Sequence, residues 1–191
     1  MTSQYPDTTI IPINGKTPQI HETAFIAPGC RIIGDVTIGA DVSIWYNCVI
    51  RADVSSVVIG ARSNVQDGSV IHCDGPTPMA PDGCPTVIGE DVLIGHMAMV
   101  HGCTIHDRGF IGLGAIIMNG CVVESDAMLG AGALLPEGKH MAERELWVGR
   151  PAKRLRELPD AALVGMKMGV AHYVENGHAH KKAIAEAEGL D

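Results

Sequence analysis

Residues 88–105 read "IGEDVLIGHMAMVHGCTI". An aliphatic residue returns every six positions (Ile88, Ile94, Val100), Gly follows the first two, and a smaller residue (Val92, Ala98, Thr104) stands four places after each. An α-helix cannot use that period, because apolar residues six apart drift around its surface. Short strands joined by turns can. One aliphatic side chain per six points inward, and Gly supplies the backbone freedom for a bend. In the same stretch His96 and His101 stand five apart, a step that suits neither one helix face nor one strand face.

The pattern continues outward. Ile26 leads to Cys30, Ile38 to Val42, Ile44 to Cys48, Ile59 to Ser63 and Val65 to Ser69. On the other side Ile111 leads to Ala115, Ile117 to Cys121, Val123 to Ala127 and Leu129 to Ala133, and the repeat stops after Leu135. Stacking such coils buries a continuous column, the logic of solenoids. The pattern resembles the hexapeptide-repeat class, which implies a mainly β fold: a left-handed parallel β-helix in which three hexads make one triangular coil of 18 residues. Cys30 and Cys48, 18 residues apart, then hold one place on successive coils as small inward-facing side chains. The expected division is a β-helix domain over 1–158 and a helical segment over 159–191. In the latter, Leu163, Met166, Val170 and Tyr173 form one stripe of an amphipathic helix that starts at Asp160 and packs along the β-helix. Gly165, Gly169 and Gly177 weaken that helix on its own. Asn176–Gly177 reads as its stop. Residues 178–191 then form a second short helix or a frayed tail, with His178 and His180 solvated.

Composition narrows the function. With 14 basic against 22 acidic residues the net charge is −8, which argues against nucleic acid or an anionic membrane as partner. No apolar run reaches the roughly 18 residues of a membrane span. The start, "MTSQYPDTTI", lacks the positive and apolar regions of a signal peptide. A cytoplasmic location is therefore expected, with the six cysteines as reduced thiols.

Register gives the histidines a meaning. Residues 73–83, "CDGPTPMAPDG", carry no hexad and read as a protruding loop. His72 and His101 are 29 residues apart, one 18-residue coil plus the 11 residues of that loop, so they fall in one column. Neighbouring strands lie ~4.8 Å apart, which lets two imidazoles share a metal ion. Arg51 joins the same column. His96 belongs to the previous hexad and lies on another face, out of easy reach of His72 and His101 within one chain. If three chains pack side by side, the edge carrying His96 meets the face carrying the other two. A zinc-type ion takes imidazole ligands, and catalytic zinc keeps three protein ligands and an open position.

Four segments, "RAD" (51–53), "NVQDGSVIH" (64–72), "IGHMAMVHG" (94–102) and "VGRPAKRLREL" (148–158), resemble the γ-class carbonic anhydrase family. The resemblance implies a homotrimer with metal centres at its interfaces, His72 and His101 coming from one subunit and His96 from its neighbour. It implies reversible hydration of CO2 to bicarbonate by a metal-bound hydroxide, with Zn2+ as the ion. Three imidazoles suit Fe2+ or Co2+ as well. Arg51, Asp53 and Asp67 match residues of interface ion pairs. Gln66 and Asn64 match pocket amides that orient hydroxide or substrate. Tyr173 matches a tyrosine beside the site, or simply packs the helix. The chain departs from the family's pattern where Val54 replaces a glutamate and where the 73–83 loop holds only Asp74 and Asp82. Slow hydration, helped by exogenous buffer, is therefore expected. Rival readings are a CoA-dependent acyltransferase on the same fold, a metal-dependent thioesterase, and a non-catalytic trimeric scaffold.

Overall fold

A computed structural model describes residues 5–189. The chain winds as a parallel β-helix of triangular cross-section. One face stacks the strands Val70–His72, Met99–His101, Ile116–Ile117 and Leu134–Leu135. The second stacks Thr86–Ile88, Thr104–Ile105, Val122–Val123 and His140–Met141. The long strands Arg31–Ile38 and Val49–Ile59 turn the corner between these two faces and serve both. The third face runs from Phe25–Ile26 through Ser43–Ile44, Asn64–Val65, Leu93–Ile94, Phe110–Ile111 and Met128–Leu129 to Glu145–Val148.

The hexad aliphatics form the core. Ile44, Val65, Ile94, Ile111 and Leu129 lie over one another on the third face, and Ile50, Ile71, Val100, Ile117 and Leu135 on the first, all fully buried. Each such side chain stabilises the fold by about 1.5–3 kcal/mol through loss of apolar surface. Cys30 and Cys48 are fully buried, and all six cysteines are free thiols. Coils stack too closely for a side chain at some turns: a Cβ on Gly60 would lie 2.5 Å from the carbonyl carbon of Gly89.

The repeat does not end at Leu135. His140–Met141 pairs with Val122–Val123, and Glu145–Val148 pairs with Met128–Leu129, so two more faces are laid down without clear hexads before Lys153–Glu157 folds back antiparallel. The loop does leave the coil after His72, held by bridges Asp74–Cys84 and Thr77–Ala80.

A single helix, Asp160–Glu188, follows. It packs on the third face with Met166 and Val170 buried. It does not stop at Asn176–Gly177. Gly177 is buried, and a Cβ there would come within 3.2 Å of Ser43 Cβ and 3.5 Å of Phe25 Cβ, so this glycine lets the helix lie close against the sheet. His180 is not solvated either. Its Nδ1 lies 2.8 Å from the Tyr46 hydroxyl and its ring stands edge-on to Trp45 at 4.9 Å. His178 is exposed and lies 3.2 Å from Asp41. No helix among the described residues is long and apolar enough to cross a membrane.

The two corners beside the helix-bearing face differ. On the side entering it, Asp41, Arg62, Asp91, Arg108, Asp126 and Arg144 occupy successive coils, each in the left-handed backbone region (φ 56 to 62°). Arg62 binds Asp91 at 2.7 Å and Arg108 binds Asp126 at 2.8 Å. On the side leaving it, Tyr46, Asp67 and His96 stack in turn.

Candidate metal centre

His72 and His101 are direct partners across adjacent strands, and His72 Nδ1 faces His101 Nε2 at 2.9 Å. Both rings are partly buried. Their other nitrogens decide what that contact is. Asn119 Nδ2 donates to Asp74 Oδ2 at 2.6 Å, and a carboxylate only accepts, so Asn119 Oδ1 turns to His101 Nδ1, 2.6 Å away. His101 therefore carries its proton on Nδ1 and leaves Nε2 bare. His72 Nε2 lies 3.2 Å from Asp53 Oδ1, and Arg51 grips both oxygens of Asp53 at 2.8 and 2.7 Å. His72 therefore donates from Nε2 and leaves Nδ1 bare. Burial pushes the Asp53 carboxyl up, but the hydrogen bonds from Arg51 and His72 outweigh it and hold the group below the usual carboxylate range.

Two lone pairs thus face each other across 2.9 Å. In neutral rings they repel unless a cation lies between them, and that cation is either a metal ion or a proton shared as an ordinary N–H···N hydrogen bond. Zinc at about 2.0–2.1 Å from each nitrogen, with tetrahedral angles, needs the rings roughly half an ångström further apart. The donor set fits such an ion. Carboxylate and amide partners on the outer nitrogens are the usual way a protein fixes the ligating tautomer. Asp74 offers a further ligand atom, and with His72 and His101 it forms the one group of metal-capable side chains found among the described residues.

The remaining residues lie elsewhere. His96 is outside that group, on the corner, with Nδ1 2.9 Å from Asp67 Oδ2 and a ring 42 % exposed. Arg51 and Asp53 pair with each other, and Asp67 pairs with His96, so the three expected ion-pair residues do not form one network inside the chain. Gln66 donates to Asn64 Oδ1 at 3.1 Å, both side chains buried on the third face, and Asn64 Nδ2 has no partner. Tyr173 stands edge-on to Trp45 at 5.5 Å. Burial, with the Asp67 carboxylate adding, raises the pKa of its hydroxyl. Sequence reasoning missed Asn119 as a partner of His101 and left Asp74 outside the ligand set. Asn119 had a signal: it stands 18 residues after His101, one coil on.

Residues 17–52 match the family described as bacterial transferase hexapeptide (six repeats). Gamma carbonic anhydrase 3, mitochondrial, of Arabidopsis thaliana is 42 % identical over 183 residues, 96 % of this chain and 70 % of that protein. The chain belongs to the gamma carbonic anhydrase family. Carbonic anhydrase of Geobacillus kaustophilus is 41 % identical over 90 % of this chain and 91 % of its own length. The chain spans 62 % of the length of the Arabidopsis gamma carbonic anhydrases 1 and 2, which it also matches. Among solved structures, a putative acetyltransferase from Bacillus cereus is 39 % identical with a TM-score of 0.87, covering 93 % of this chain and 99 % of that one.

Proposed function

We propose that the chain hydrates CO2 reversibly to bicarbonate at a zinc centre shared between subunits of a homotrimer, with His72 and His101 from one subunit and His96 from the next. The observation that carries the reading is tautomer control. Each of the three rings has one nitrogen beside a fixed acceptor (Asp53, Asn119, Asp67), which leaves the other bare for a metal. The trimer is supported by apolar exposure around the two half-sites: Met97 (75 %) and Leu113 (53 %) flank His96, and Met99 and Met118 flank His101.

A zinc ion in this place supplies acidity, bringing a bound water to a pKa near 7. The chain's own groups do the rest. Arg51 keeps Asp53 ionised, and Asp53 and Asn119 hold the two rings at fixed angles. The buried amides of Gln66 and Asn64 orient the reactants, and the unpartnered Asn64 Nδ2 is a donor still to be used. Tyr173 stays protonated and offers its hydroxyl. In the trimer the Arg51–Asp53 and Asp67–His96 pairs meet across the interface. Half-exposed Val54 offers no proton acceptor, so turnover is slow and rises with added buffer.

The test is metal content per chain combined with mixing. His72→Ala and His96→Ala homotrimers each lack zinc and activity. Their co-assembled mixture regains about a quarter of the sites, since a face intact in one chain meets a corner intact in the other. No recovery in mixed trimers overturns the shared centre. The second reading is acyl transfer from CoA, favoured by the name of the Bacillus cereus structure. It requires acetyl-CoA to raise the thermal midpoint of metal-free protein.

A further inference from the structure

Ten non-glycine residues among those described have positive φ, and nine of them are Asp, Asn or Arg. The tenth is Met97, at φ 58°. Asp and Asn tolerate the left-handed region, and the three arginines each make an ion pair. Met97 has neither reason to be there. Its column holds Gly29, Asn47, Gly68, Gly114 and Gly132 on the other coils, all at positive φ. Its stem lies over Gly68, where an added Cβ would sit 3.6 Å from Met97 Cγ, and the side chain is 75 % exposed. The coil's own ladder holds the Met97 backbone in that conformation, its N–H donating to Asp67 O at 2.9 Å. The exposed side chain, however, gains little inside the chain from a place that the other coils give to Gly or Asn, and strain of that kind clusters at functional sites.

A groove of about 450 Å³ adjoins the metal centre, with Met99, Ile116, Met118 and Leu134 on its apolar wall beside His101 and with Asp74 and Glu137 among its polar lining. If His96 reaches a neighbour's His72 and His101, the next residue in the chain arrives at the mouth of that groove, one Cα step of ~3.8 Å away. We infer that Met97 is the anchor of the subunit interface: its thioether side chain enters the neighbouring copy's groove beside His101 and fixes how far His96 extends towards the ion. A flexible, polarisable side chain suits a groove that is itself lined by methionine. The occupant is a second copy of this chain, because the residue that brings Met97 there is the third metal ligand. This inference rests on the shared-centre reading above.

The experiment uses the full chain. Met97→Cys combined with Met118→Cys, mildly oxidised and run on a denaturing gel without reductant, gives covalent dimers and trimers that neither single variant gives. Met97→Gly removes the strain and the anchor together. The dissociated coil keeps its thermal midpoint or gains, while trimer association weakens about tenfold or more. Absence of the cross-link in a trimer that retains zinc overturns the anchor and leaves the shared centre standing. So does an unchanged dissociation constant for Met97→Gly. A wild-type chain that neither trimerises nor binds zinc overturns both.

Discussion

The corner entering the helix-bearing face and the corner leaving it are built from the same backbone and opposite chemistry. The first stacks Asp41, Arg62, Asp91, Arg108, Asp126 and Arg144, alternating in sign, and four of the six are ion-paired to a neighbour in the column. The other two turn elsewhere in the chain, Asp41 to His178 and Arg144 to Asp160. The second stacks Tyr46, Asp67 and His96 and then exposes Met97 and Leu113. One corner is complete in a single chain. The other has a half-exposed histidine with one ring nitrogen on Asp67, a methionine at positive φ and exposed apolar surface. A solenoid can thus pair the charges of one corner column within the chain and leave another column with exposed imidazole and apolar groups.

Four substitutions follow in falling order of effect, three on the two corners and one, Asn119, behind His101. His96→Ala should lower zinc affinity by well over 100-fold, more than loss of any residue behind a ligand. The unfolding midpoint of the metal-free monomer should stay unchanged. A large loss of monomer stability would mean that this corner is structural too. Asn119→Ala, which frees the His101 ring and strands Asp74, should cost about 10–100-fold in zinc affinity by competition with a chelator. Unchanged affinity would remove Asn119 from the centre. Arg108→Gln should cost only about 0.2–1 kcal/mol in denaturant unfolding, the usual worth of a half-exposed ion pair, and should leave metal content untouched.

The last concerns pH. Burial pushes the Asp41 carboxyl up, but hydrogen bonds from Thr23 and His178 outweigh it and hold it below the ordinary range. Its folded pKa lies below the unfolded one. Its contribution is therefore present above about pH 4 and disappears as pH falls through the lowered value. Asp41→Asn should be less stable than wild type in urea at pH 7, with the gap closing on acidification. A gap that widens in acid would contradict the assignment.

The coils were legible because Ile, Leu or Val at each sixth position and a small residue four later leave only one way to bury both. They ceased to be legible at His140–Met141 and Glu145–Val148, where stacking on the preceding coil, rather than local pattern, decides the strand. Gly177 misled for a related reason: read locally it ends a helix, but here the missing Cβ lets the helix touch Phe25 and Ser43. The His72–His101 column followed from counting, since register is arithmetic in a solenoid. Asp74 did not, because its approach to His101 depends on how a loop without repeat folds back.

The helix also ties the two ends of the winding together. Its last turns reach the first coils, where Lys181 donates to the Glu22 and Ala24 carbonyls, His180 meets Tyr46 and His178 meets Asp41. Stacked repeats ordinarily fray from their termini, each coil leaving at the cost of one interface. Here the earliest coils cannot peel away until a segment some 159 residues later has let go. Unfolding should then resemble the release of a latch rather than a zipper, with one sharp transition in denaturant for the full chain and a broadened, stepwise one for a chain cut at Leu158.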